Sequence, residues 1–399
     1  MFTMMSTKVY VRGAYNTKFG KLDDQTIYSL YEEAALGTIK DAGMEVSEID
    51  GVFLGNYSGG GFNNQEHLAP YGVNIMPELR HKPMYRTENA CASGTSAVHM
   101  ALMAVKSGMM KNALVIGVEK MNTLDTKGTT KALAMASYWP YEGAKDYTFP
   151  ALFAEYGKGW MKHYGYSEEK LRAILAEISA KAYQYAAENP LAHMRKARTT
   201  AEILALPEDK NPMIAYPLRL HDCSLISDGA AGIIISSSPS SQGSVELAGF
   251  YDASDYLNIV DGDRPNYFLE GASVAVNRAL TMAGMTMDQI DVAEVHDCFT
   301  ITELLIYSAM GLAQPGMEFE ALDNGIVKMG GSCVINPSGG LKAKGHPVGA
   351  TGVSMHALIY KQLMDQAIGL QVSEAEAGLT LNIGGSGASN MVSVLRRIN

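Results

Sequence analysis

The chain has 399 residues, 47% of them hydrophobic and 19% charged, which is the balance of a soluble globular protein with a sizeable core. Its length suggests two or three domain-sized units. A formal net charge of −10 argues against nucleic acid as a general partner, and any anionic ligand would need a local basic patch. Four cysteines (Cys91, Cys223, Cys298 and Cys333) are too few for a disulfide framework and fit a reducing compartment. No apolar run approaches a transmembrane span, and Met1 to Lys8 lacks the charged and apolar regions of a secretory leader.

In chain order, residues 28–42 read as a helix stopped at Ala42-Gly43-Met44. A polar turn and Ile49-Asp50 then lead into an apolar strand. Residues 92–109 read as the next long helix and 113–118 as a buried strand. Between 121 and 222 the character changes, with Tyr138, Trp139, Tyr141, Phe149, Phe153, Tyr156 and Trp160 close together. Most of these aromatics read as a local core. Residues 231–236 form a second buried strand, and 271–283, 301–310 and 352–366 read as helices. The alternation predicts an α/β architecture. Residues 282–293 echo 41–52: helix end at Ala-Gly-Met, polar turn, Ile-Asp, strand. Self-similarity at so long a period points to a duplicated domain rather than a solenoid.

Three segments carry chemistry. Cys91 stands among small residues, Ala90, Ala92, Ser93 and Gly94, just before a helix. The positive end of the helix dipole would lower its pKa, and small neighbours would let a carbonyl approach backbone N–H groups. A lone cysteine in such a place is more often buried and inert. The second segment is Glu294-Val295-His296-Asp297-Cys298-Phe299, between a strand-like stretch and a helix. The third is Asn336 to Gly352, where His346 lies between Gly345 and Pro347 and projects from a turn.

Together these segments resemble the thiolase superfamily. Most thiolases carry a second catalytic cysteine in a C-terminal Cys-x-Gly loop; here Asn382 stands in its place, in Leu381-Asn382-Ile383-Gly384-Gly385. In the branch related to sterol carrier protein 2 (SCP2) a His-Asp-Cys-Phe motif supplies that cysteine, and this chain has it at His296 to Phe299. Asp228-Gly229-Ala230-Ala231 matches a further family segment. The resemblance runs from about Val9 to the C-terminus.

The resemblance implies a thiolase fold: duplicated five-stranded mixed-sheet halves in a layered αβαβα arrangement with an inserted loop domain. It implies an N-terminal half at 1–120 completed by 223–250, a loop domain at 121–222 covering the active site, and a C-terminal half at 251–399. The implied activity is CoA-dependent cleavage of a 3-oxoacyl-CoA, or the reverse Claisen condensation. Cys91 would be the nucleophile, His346 would take its proton, and Cys298 would exchange a proton with C2 of acetyl-CoA. Backbone N–H groups of Cys91 and Gly384 would form one oxyanion hole, and His296 with His346 the other. Asn382 is expected to be structural or to orient His346. CoA would be a co-substrate, with no permanently bound cofactor. The implied partners are acyl-CoA, a second copy in a homodimer or dimer of dimers, and a small zinc-ribbon/OB-fold (DUF35-like) protein.

The basic run Arg195, Lys196 and Arg198 could reach CoA phosphates, and so could Lys342 and Lys344. The triplets His221-Asp222-Cys223 and His296-Asp297-Cys298 invite a zinc reading, but His-x-Cys is an unusual ligand spacing and no metal site is expected. The end Arg396-Arg397-Ile398-Asn399 is not a peroxisomal signal, so a cytoplasmic protein is expected. A thiolase-fold aldolase or acyltransferase with an unusual acceptor, and a non-catalytic acyl-CoA scaffold, are the rival readings. The intact set Cys91, His296, Cys298 and His346 weighs against both.

Overall fold

One five-strand pattern occurs twice, and the two copies meet edge to edge. The computed structural model describes residues 8–240 and 243–398. Residues 1–7 and Asn399, on which part of the leader and peroxisomal-signal readings rested, lie outside them. The strands are β1 (Tyr10–Asn16), β2 (Gly51–Gly55), β3 (Met84–Thr87), β4 (Asn112–Glu119), β5 (Met213–Ala215), β6 (Leu218–Arg219), β7 (Gly229–Ser236), β8 (Ser244–Ser254), β9 (Val292–Val295), β10 (Val334–Ile335), β11 (Ala377–Gly384) and β12 (Ser389–Ile398). From its outer edge inward the first half runs β3-β2-β4-β7-β1, and the second runs β10-β9-β11-β12-β8. In each, the outer three strands are parallel and the inner pairings are antiparallel. The halves join where Tyr10 and Val11 pair with Glu246 and Val245, giving one ten-stranded mixed sheet.

The sequence echo is visible residue by residue. Gly43 and Gly284 end their helices in the left-handed conformation, φ 60° and 65°, which glycine adopts without a Cβ penalty. A 3₁₀ turn follows in both, Val46–Glu48 and Met287–Gln289, and then β2 or β9. The Asp50 carboxylate accepts from the N–H groups of Lys111 (2.7 Å) and Asn112 (2.9 Å), at the start of β4. Asp291 does the same for Glu376 (2.8 Å) and Ala377 (3.0 Å), at the start of β11.

Two central helices, Ser93–Lys106 and Val348–Leu363, follow β3 and β10. Ala97, Val98 and Ala101 of the first share a core with Val353, Ala357 and Ile359 of the second and with strand residues of both halves. The helices touch through glycine. A Cβ on Gly94 would lie 2.8 Å from Gly349 O, and one on Gly352 would lie 2.2 Å from Thr95 N. No side chain fits between backbones that close.

Residues 121–222 add no strand to the large sheet; β5 and β6 pair only with each other. The segment contains the helices Thr126–Ala134, Phe149–Tyr164, Glu168–Glu188 and Thr200–Leu204. Phe153, Tyr156 and Trp160 are buried against the second half, with Phe153 stacked on Phe299 at 4.7 Å. Burying each such ring is worth about 1.5–3 kcal/mol, and this packing fixes the segment over the loop that carries Cys298. Among the described residues, no helix is long and apolar enough to cross a membrane.

Candidate active site

The candidate side chains come from loops at the C-terminal ends of strands in both halves. Cys91 follows β3 and lies two residues before the helix Ser93–Lys106. Its neighbour Ala90 has φ 49°, a left-handed conformation that costs a non-glycine residue roughly 1 kcal/mol. Local hydrogen bonds hold it there: Ala90 N–H donates to Glu88 Oε1 (2.6 Å), and Ser93 Oγ donates to Ala90 O (2.6 Å). The strained turn presents the thiol to the cleft.

His346 occupies the equivalent place in the second half, two residues before the helix Val348–Leu363. It follows a π-helical turn, Gly340–Lys344. Asp297 accepts from the N–H groups of Leu341 (2.6 Å) and Lys342 (3.3 Å), which ties that turn to the loop after β9. His346 Nδ1 bonds Thr351 Oγ1 at 2.7 Å, and that hydroxyl donates to Pro347 O at 3.0 Å. Since the Thr351 proton goes to the carbonyl, His346 Nδ1 carries the hydrogen and Nε2 is a free acceptor.

His296 and Cys298 leave the end of β9. Ser224 N–H donates to Cys298 O at 2.8 Å, and Phe299 bridges Cys223. Cys91, His296 and His346 converge: one ligand atom from each lies within 4.8 Å of the others, and the two imidazole rings meet edge-on at 5.2 Å. Asn382, on β11, donates to Cys91 O (3.1 Å) and to His296 Nδ1 (3.1 Å), and accepts from Thr95 Oγ1 (2.9 Å). His296 Nε2 is buried with no hydrogen-bond partner among the described residues.

Burial dominates the electrostatics. It pushes the Cys91 thiol up to about 12, opposed by the Gly385 N–H and Cys91's own N–H; the Glu119 and Glu88 charges raise it further. The sequence expectation of a lowered thiol pKa is therefore overturned: the cost of a thiolate in a dry site outweighs the helix dipole. Burial and then the Lys344 charge push His346 down to about 3. Burial also holds His296 well below its ordinary value, and holds Cys298 well above it with help from Cys91 and Asp297. Both shifts favour the neutral thiol and the neutral imidazole at rest.

A cavity of about 530 Å³ opens onto this cluster, with Cys91, Cys298 and His346 in its wall. Its lining is mostly apolar, including Tyr57, Met121, Leu133, Phe149, Ile226 and Phe299. A second cavity of about 320 Å³ lies on the other side of the Cys91 loop, against Gly384 and Gly385. The backbone donors that favour the thiolate are Cys91's own N–H and that of Gly385, one residue past the expected Gly384.

The basic candidates fall elsewhere. Arg195 and Lys196 are exposed and Arg198 is half-buried, and none lines the large cavity; Lys21 and His193 do. Lys342 and Lys344 are buried and occupied, with Nζ 2.8 Å from Tyr183 Oη and 2.9 Å from Ser354 Oγ respectively. They are not available to a phosphate. The two His-x-Cys triplets do not pool their donors: His221 Nδ1 bonds Tyr183 Oη at 2.8 Å. Among the described residues, the close donor set is Cys91, His296 and His346. Asn382, expected to be structural or to orient His346, bonds His296 instead, and His346 Nδ1 is held by Thr351.

Two family models match: "Thiolase, N-terminal domain" over residues 9–200 and "Thiolase C-terminal domain-like" over 242–397. The chain is 37% identical over 392 residues to an acetyl-CoA acetyltransferase of Methanothermobacter thermautotrophicus, covering 98% of this chain and 99% of that one. It is 30% identical over 403 residues to human sterol carrier protein 2, covering 96% of this chain and 70% of that protein. Among solved structures, the "Ltp2-ChsH2(DUF35) aldolase" superimposes with a TM-score of 0.82 at 18% identity, covering 98% of both chains, a likeness of fold.

Proposed function

The chain belongs to the thiolase family, in its SCP2-type branch, and is an acyltransferase; we propose that it cleaves a 3-oxoacyl-CoA with CoA, or runs the reverse condensation, through an acyl thioester on Cys91. The observation that carries this reading is the convergence of Cys91, His296 and His346, together with one cavity lined by Cys91, Cys298 and His346.

In cleavage, Cys91 Sγ attacks the ketone carbon as its proton passes to His346 Nε2. The C2–C3 bond breaks, its electron pair goes to C2, and Cys298 protonates that carbon to release acetyl-CoA. The His346 imidazolium then reprotonates Cys298, CoA passes its thiol proton to the freed His346 as it attacks the thioester, and Cys91 leaves with that proton. A thiol whose pKa is raised by burial suits Cys298: it holds its proton until a carbanion forms, and its thiolate is a strong base in condensation. The N–H groups of Cys91 and of the Gly384–Gly385 turn would stabilise the oxyanion on the acyl side, and His296 with His346 the thioester enolate.

The apolar lining supports an uncharged acyl chain, with acetoacetyl-CoA the first substrate to test and a bulky aromatic 3-oxoacyl-CoA the second. The cavity wall offers Lys21 as its one cation among the described residues. This favours a partner, either a second copy or a zinc-ribbon/OB-fold protein, completing the CoA contacts. All four described cysteines are free, which suits a cytoplasmic enzyme.

The test is acetoacetyl-CoA cleavage by wild type and Cys298→Ala. Wild type yields two acetyl-CoA per turnover. The variant still takes an acetyl group from acetyl-CoA onto Cys91 but loses C–C cleavage. Equal loss of both steps would contradict the role given to Cys298.

A further inference from the structure

We propose that Asn382 is a positioning residue that locks His296 in the tautomer with hydrogen on Nε2, opposite to the tautomer of His346. The inference rests on the reading of His296 as an oxyanion donor.

The orientation of the Asn382 amide follows from its neighbours. One side faces the Cys91 carbonyl oxygen at 3.1 Å, which only an N–H can approach. The other side lies 2.9 Å from Thr95 Oγ1, whose hydroxyl donates to the amide oxygen. Nδ2 therefore has one N–H for Cys91 O and one for His296 Nδ1 at 3.1 Å. A nitrogen that accepts a hydrogen bond carries no hydrogen, so the His296 proton is on Nε2. That Nε2 is buried and has no hydrogen-bond partner among the described residues. A buried N–H without an acceptor is costly, so the site holds a donor waiting for a ligand oxygen.

His346 is set the other way. Thr351 Oγ1 accepts from its Nδ1 and leaves Nε2 as an acceptor. Two histidines with rings 5.2 Å apart thus carry opposite polarity toward the substrate, one a base and one a donor. A carboxamide at position 382 does this without adding charge. A cysteine there could not donate two N–H bonds, which links the asparagine to the His296-Asp297-Cys298 motif: once the thiol moves to position 298, the vacated site can orient the new imidazole.

The test uses full-length protein with ¹⁵N-labelled histidine, and His296 is assigned by its loss in His296→Asn. Wild type should show His296 protonated at Nε2 and bare at Nδ1, a readout that needs no turnover. In Asn382→Asp the carboxylate accepts from Nδ1–H, so the proton shifts there and Nε2 becomes bare. Cleavage and condensation should then fall roughly 10²-fold, the scale of one lost oxyanion donor, while acylation of Cys91 by acetyl-CoA persists. The deficit relative to wild type should narrow as pH falls, because an imidazolium beside the carboxylate regains Nε2–H. A wild-type His296 protonated at Nδ1 overturns the proposal, and so does an unchanged tautomer in Asn382→Asp. Acylation and C–C chemistry falling together, without pH dependence, would reduce Asn382 to a structural role. A correct tautomer with full C–C activity in Asn382→Asp would instead refute the donor role of His296.

Discussion

The two halves of the sheet share a frame but not a task. Each presents a loop before a central helix; the first half places a thiol there, Cys91, and the second an imidazole, His346. The loops after β2 and β9 differ more. After β2, Asn56 and Tyr57 are tied to the buried Glu119: Asn56 Nδ2 donates to its Oε1 at 2.9 Å and Tyr57 N–H to its Oε2 at 2.8 Å. After β9 the equivalent positions lead into His296 and Cys298. Duplication supplies two matched ledges, and in the proposed reaction only one carries acid–base groups. The proposed nucleophile is thereby separated in sequence from the proposed proton carriers, yet the fold brings Cys91, His296 and His346 together.

The largest expected effect tests the frame itself. Gly352→Val puts atoms where Thr95 N would be 2.2 Å from Cβ, so the central helices must part. A loss of about 3 kcal/mol is expected, read as a lower thermal midpoint or insoluble protein; a normal midpoint would show that the halves tolerate separation.

Next is the base. His346→Asn should slow Cys91 acylation by about 10²–10⁴-fold with the fold intact by circular dichroism. An acylation rate within twofold of wild type would move the base elsewhere.

The pH dependence sharpens the contrast between thiol and imidazole. With Cys91 raised to about 12 and His346 lowered to about 3, both are neutral across the intervening range. The reactive neutral pair is lost only by protonating His346 below its pKa or ionising Cys91 above its own. The acylation rate should therefore be flat from about pH 5 to 8. A rise through pH 6–7 would mean a histidine of ordinary pKa controls the step.

The smallest effect concerns CoA. Lys21→Ala should raise KM for CoA more than Ala at Arg195, Lys196 or Arg198, since only Lys21 reaches the cavity wall. A severalfold rise on removing Arg195 alone would restore the basic run to the site.

Much of this was legible in the chain. The Ala-Gly-Met and Ile-Asp echo revealed the duplication because helix stops and strand starts have a narrow vocabulary. Cys91, His296, Cys298 and His346 could be singled out as candidates because glycine, proline and small residues surround them in a recognisable order, and the fold brings Cys91, His296 and His346 together. The thiol pKa was not legible, because the helix start is local while desolvation depends on residues from both halves. The lysines of the glycine-rich run misled for the same reason. Lys342 and Lys344 look exposed beside glycines, but Tyr183 and Ser354 receive them inside. The contacts of Asn382 with Cys91, Thr95 and His296 were not legible because they join residues far apart in the chain.

The most direct test of acyl transfer through Cys91 is the intact mass of wild type and Cys91→Ala after mixing with a panel of acyl-CoAs. One acyl increment on wild type, absent from Cys91→Ala and removed by adding CoA, is the expected result. An increment that persists in Cys91→Ala, or no adduct on folded wild type with or without a zinc-ribbon/OB-fold partner, would contradict it.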